Sequence, residues 1–209
     1  MANKELYNDL ASVLSYPTRE IYAQAEQLSK QVLKVAPAQA EAMQTFYHFI
    51  IENRLEEIEE SFTRLFDMNP SCCLEIGWHL YGEDYQRGMF LVNMRQSLAE
   101  EQLEETVELP DHLSHCLRLF TRLEPEDAEI FSQKYLQPAI AKIRTALEAE
   151  NPYTCVIDLI QYILEEQYGT VELEEEEVES KLIELPVLNN APIHYDNLED
   201  QVDRSKKLY

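Results

Sequence analysis

Leu6, Leu10, Val13 and Leu14 fall on one face of a helical period over residues 3–15, and Pro17 ends the pattern. Thr18 is placed to cap the next segment, in which Ile21, Ala25, Leu28, Val32 and Val35 step by four and three. Pro37 breaks that stripe. Met43, Phe46, Tyr47 and Ile50 then define a third helix, and Leu55, Ile58, Phe62, Leu65 and Phe66 a fourth that ends near "DMNP". A fifth is predicted over 71–81 and a sixth over 83–101. Asp111, after Pro110, is the expected cap of a seventh, with Leu113, Leu117 and Phe120 inward. Residues 125–149 and 152–167 read as two more, each begun near a proline. No useful run of period two appears before residue 170, so the expected fold is all-α: one compact domain of about nine helices.

After residue 168 the pattern lapses. Residues 169–209 hold acidic clusters, two prolines and little stripe, and blocks of like charge serve as solvated tails or partner-binding arms. The chain is therefore divided into a helical domain over 1–168 and an acidic, partly mobile extension over 169–209, in which "VLNNAPIHY" is apolar enough to dock. Composition agrees with this division. Four glycines in 209 residues is too few for folds that use glycine at turns and phosphate loops, and 45% apolar residues supply a proper core.

Charge narrows the partners. Forty acidic against 17 basic residues leave a net charge of −23, a surface that repels nucleic acid and anionic lipid and attracts basic partners. No apolar run is long enough to span a bilayer and the N-terminus lacks a signal pattern, so a soluble, cytoplasmic protein is expected.

The densest chemistry lies between residues 65 and 112, and no enzyme motif organises it. His79 and Glu83 are spaced as two ligands on a helix face, but Gly82 interrupts the helix between them. Cys72 and Cys73 are adjacent, without the spacing that lets two thiolates converge on zinc. Asp111 and His112, as helix neighbours, point about 100° apart and cannot bond each other as a catalytic pair must. No nucleophile elbow, P-loop or dinucleotide fingerprint is present. No catalytic residue, metal ligand or stably bound cofactor is assigned. The same residues suit a scaffold. Gly82 can cap a helix with positive φ, and Glu83 precedes Arg87 in a favoured i, i+4 order. Gly88, inside a helix, costs about 1 kcal/mol against alanine, which suggests close approach of another helix or of a bound chain. Glu108 and Asp111 flank the rigid Pro110.

Three ordered segments carry a resemblance: "FTRLFDMNP" at 62–70, "HLYGEDYQRGMFLVNM" at 79–94 and "ELPDHL" at 108–113. Together they resemble the NarJ-type chaperones of the wider TorD and DmsD group, over roughly residues 60–115. The resemblance implies a non-enzymatic, all-helical, system-specific chaperone. It would bind the basic N-terminal leader of a molybdoenzyme catalytic subunit, that of nitrate reductase or of a relative acting on another substrate. It would hold that subunit ready for bis-molybdopterin guanine dinucleotide and iron–sulfur insertion before membrane docking or export. The implied client-binding residues are Leu65, Phe66, Asp67, His79, Tyr81, Gly82, Glu83, Arg87, Gly88, Glu108, Pro110, Asp111 and His112. Cys72-Cys73 and the acidic stretch after Gly169 depart from the family pattern. The residues alone also allow an acidic helical adaptor for some other basic protein.

Overall fold

A computed structural model describes residues 4–171, and among them it contains nine continuous helices and no strand. They are α1 (Lys4–Val13), α2 (Ile21–Val35), α3 (Ala40–Glu52), α4 (Leu55–Phe62), α5 (Ile76–Tyr81), α6 (Tyr85–Glu100) and α7 (Leu113–Phe120). Next comes α8, which runs as Pro125–Phe131, a widened π turn over Ser132–Leu136, and Gln137–Ala146 without a break. The last is α9 (Thr154–Tyr168). The all-α expectation therefore holds. The segment expected to dock from within 169–209, "VLNNAPIHY", lies outside the described residues.

The stripes read from the sequence are the buried faces except at Val35, which is 36% exposed at the last turn of α2. Leu6, Leu10, Val13 and Leu14 of the first helical segment and Ile21, Leu28 and Val32 of α2 are all at or below 1% exposure. α1 packs on α2 and α7, α2 on α3, α3 on α9, and α9 on the second half of α8. An aromatic cluster closes the middle: Phe62 and Phe66 meet edge-to-face at 4.9 Å, and Tyr153 meets Phe46 and Phe66 at 5.2 Å each. Edge-to-face pairs of this kind add stability beyond their buried area.

Two local departures position the site. α4 does not stop at Phe62; it widens through a π turn over Thr63–Asp67, closed by the Met68 amide donating to the Thr63 carbonyl at 2.9 Å. The turn puts Phe66 in the core and leaves Asp67 and Met68 exposed. In α8 the π turn falls just before Pro138, whose missing N–H cannot continue an α ladder.

Several predicted boundaries move. The fifth helix starts at Ile76 rather than 71, because residues 71–75 form a turn and then pair as a single bridge, Glu75 with His112. Thr18 does not cap α2; its hydroxyl donates to the Glu20 carboxylate instead. Asp84 rather than Glu83 opens α6, accepting from the Gln86 amide at 2.8 Å. His112 rather than Asp111 caps α7, its ring nitrogen accepting from the Ser114 amide. The last predicted helix ends where expected: Gly169 follows Tyr168 with φ +79°, and Gln137 accepts from the Val171 amide.

Candidate functional site

One short bridge ties the third motif segment to the residues that lead into α5. The Ile76 amide donates to the Asp111 carbonyl at 3.0 Å, and the Leu113 amide to the Leu74 carbonyl at 2.7 Å. This ties the "ELPDHL" segment against the entrance to α5, and α6 folds back on α5 through Gly82, whose φ of +61° suits glycine alone.

Asp111 is the buried pivot. It is fully enclosed; among the described residues neither carboxylate oxygen has a hydrogen-bond partner, and the one close cation is Arg87, with Nε 3.6 Å from Oδ2. The Arg87 guanidinium also lies 5.5 Å over the Trp78 ring. Arg87 thus faces Asp111, not the i−4 partner Glu83 that helix spacing offered. Burial pushes the Asp111 carboxyl up to about 6; Arg87 opposes this and Glu75 adds to it. Gly77 makes the arrangement possible, since a Cβ there would lie 2.5 Å from Asp111 Oδ2 and 3.0 Å from Phe90.

The histidines in this arrangement make local hydrogen bonds. His79 Nε2 donates to the Cys73 carbonyl at 2.7 Å. His112 is buried, and desolvation, with His115 and Arg118 nearby, holds its pKa down at about 3. His115 Nδ1 donates to the Leu109 carbonyl at 2.9 Å, and its Nε2 accepts from the Thr106 amide at 3.1 Å. That pair of bonds pins the 103–109 loop. Burial pushes the Cys73 thiol up to about 12, far from a reactive thiolate. Among the described residues no three His, Cys, Asp or Glu side chains are arranged to hold a metal ion.

A second group of carboxylates differs in character from this pivot. Asp67 and Glu108 both have raised carboxyl pKa values: partial burial is the larger cause, Glu75 raises both, and Asp67 also raises Glu108. Residues 67, 75 and 108 are far apart in the chain, yet their carboxylates sense one another. Exposed apolar residues flank them in the chain: Met68, 75% exposed, follows Asp67, and Val107, 98% exposed, and Leu109 lie either side of Glu108. Crowded carboxylates next to exposed apolar groups form a surface that a cationic, partly apolar segment would relieve.

The thirteen candidate residues divide by burial. Phe66, Pro110, Asp111 and His112 are buried inside the domain. Asp67, Glu83 and Gly88 are exposed, while Leu65, His79, Tyr81, Gly82, Arg87 and Glu108 are half-buried. Glu75, Gly77, Trp78 and His115 were not singled out from the sequence. Gly77 carried a signal, being one of four glycines and sitting in an apolar run; the others resemble ordinary helix residues.

Fold and face together define, among the described residues, an all-helical domain with an acidic, apolar-edged face. The family described as "Nitrate reductase delta subunit" matches residues 33–152, more than half of the chain. The chain belongs to that family. It is similar to the nitrate reductase molybdenum cofactor assembly chaperone NarJ of Escherichia coli strain K12, 23% identical over 156 residues. The NarJ of Escherichia coli O157:H7 matches equally. The match covers 72% of this chain and 66% of the length of those relatives.

Proposed function

We propose that the chain is a chaperone dedicated to one molybdoenzyme catalytic subunit, of nitrate reductase or a relative, and that it acts in the cytoplasm. It binds the basic N-terminal leader of that subunit and keeps it open for insertion of the bis-molybdopterin guanine dinucleotide and iron–sulfur centres, before membrane docking or export. The cofactor is the client's cargo, not a resident group. Among the described residues no helix is long and apolar enough to cross a membrane.

The observation that carries this reading is the convergence of Asp67, Glu75 and Glu108 beside exposed Met68, Val107 and Leu109. Family membership and the similarity to the NarJ chaperones support it. Magnitudes assign the roles. An exposed ion pair contributes about 0.2–1 kcal/mol, whereas a fully buried apolar anchor contributes about 1.5–3 kcal/mol. Micromolar affinity needs about 8 kcal/mol, so the apolar edge holds the leader and the carboxylates steer and orient it.

Titration calorimetry with the leader peptide of a nitrate-reductase-type catalytic subunit from the same organism tests the proposal. One-to-one binding is expected, weakened about two- to fivefold by Glu108→Ala or Asp67→Ala, as loss of one exposed ion pair predicts. Equal binding of a scrambled peptide would show a merely sticky acidic surface and sink the reading.

A further inference from the structure

Helix α6 is apolar on two sides. Phe90, Met94 and Leu98 are buried against the domain. On the outer side Tyr85, Gly88, Val92, Arg95 and Ala99 follow one another by three and four, the spacing of a helix-pairing seam. Tyr85 is 80% exposed, Val92 47%, and Gly88 and Ala99 are also open to solvent. Gly88 is the anomaly in this seam. A Cβ built there meets no atom within 4 Å, so no described part of the chain uses the space that glycine leaves. The helix bears the entropic cost of an interior glycine and gains no packing in the free protein. Gly77, in contrast, is spent on close approach to Asp111.

We infer that the outer seam of α6 docks a basic amphipathic helix of the client, whose backbone approaches α6 at Gly88. This rests on the client reading above but concerns a second surface. The rim of the seam selects the charge of its occupant. Glu83 and Asp84 are exposed at one end, and Glu100 and Glu101 at the other. Neither arginine of α6 is free to balance them: Arg87 faces Asp111, and Arg95 Nε donates to both Glu105 oxygens at 3.1 Å. A second copy of the chain fits poorly, because it would set like acidic rims together in a protein of net charge −23. A client helix escapes this objection, since its lysines and arginines complement the rim and the leader face supplies further contact. Continuity favours the same partner. The Arg95–Glu105 pair joins the seam to the loop that carries Val107 and Glu108, so one client can engage both.

The test uses the full chain co-expressed with the catalytic subunit, with recovery of the complex quantified for Gly88→Leu, Gly88→Ala, Val92→Asp and Glu108→Ala. Gly88→Leu is expected to fold, melting at or a few degrees above wild type because the helix penalty is removed. It should nevertheless lose about tenfold or more in complex recovery, with Gly88→Ala intermediate and Val92→Asp as weak as Gly88→Leu. Recovery of client by Gly88→Leu and Val92→Asp at the wild-type level would overturn the seam. So would early melting of Gly88→Leu, since the chain itself would then fill the space. A dimer of the free protein that Gly88→Leu abolishes would place a second copy there and also overturn it. The two surfaces separate cleanly: loss with Glu108→Ala alone leaves the leader face and removes the seam, and loss with the α6 variants alone does the reverse. Failure of wild type to recover any catalytic subunit overturns both.

Discussion

Gly77 and Asp111 form a matched pair at the scale of single residues. One has no side chain, and the other buries a carboxylate in the space that this leaves, within reach of Arg87. Gly77→Ala places a methyl 2.5 Å from Asp111 Oδ2 and 3.0 Å from the Phe90 ring, with both neighbours enclosed. The expected loss is about 1–3 kcal/mol of stability, the usual cost of overpacking, read as a lower urea midpoint at constant slope. An unchanged midpoint would mean that α5 and α6 part easily and that Asp111 is not held as described. The other motif glycines answer different needs: Gly82 supplies positive φ, and Gly88 supplies open space on a helix surface. Sequence reasoning found Gly82 from its place after an apolar run. For Gly88 it left two occupants open, another helix or a bound chain, and no described helix of this chain comes near it.

The entrance to α7 is the element on which the site hangs, and its pH response has a definite sign. His112 caps the helix as a neutral ring, and its pKa falls from 6.5 to about 3 on folding. The unfolded chain therefore takes up this proton first as pH drops. The contribution of the neutral ring is complete above pH 6.5 and is lost progressively toward pH 3. His79 and His115, both lowered chiefly by burial, act in the same direction. Asp111 opposes them: its carboxyl is raised to about 6, so it favours the folded state at low pH and that contribution is lost as pH rises through 6. Thermal unfolding followed from pH 7 to pH 4 should show a declining midpoint in wild type and a shallower decline in His112→Asn, which keeps a capping side chain without the titrating ring. Parallel declines would assign the acid sensitivity to other groups. The identity of the cap was not legible beforehand, because Asp111 is the better capping residue by type. The Glu75–His112 bridge shifts the helix start by one residue and turns Asp111 inward.

Over the whole molecule the net charge of −23 sets how partners arrive more than how tightly they stay. Exposed carboxylates are screened within about 10 Å at 0.1 M salt, whereas apolar anchors are not. The affinity for the leader peptide should thus fall only modestly, by less than about tenfold, between low salt and about 0.5 M, while the association rate falls more steeply. Collapse of the affinity at that salt would show that charge alone holds the client. Paired with Met68→Ala, the same titration separates the apolar edge from the acidic groups.

The sequence by itself determined the helices and their buried faces. A stripe such as Leu6, Leu10, Val13 and Leu14 reports local burial, and no glycine-rich or alternating segment competes with it. It also marked the order of the three motif segments, and with them the family. Only the tertiary structure decided which motif residues face inward, as Phe66, Pro110, Asp111 and His112 do. It alone brought residues 67, 75 and 108 within electrostatic reach and left Gly88 uncovered. The physical reason is range. Periodicity records what each helix does with its own faces, whereas a site made by elements tens of residues apart exists only once packing and a single backbone bridge have set them side by side.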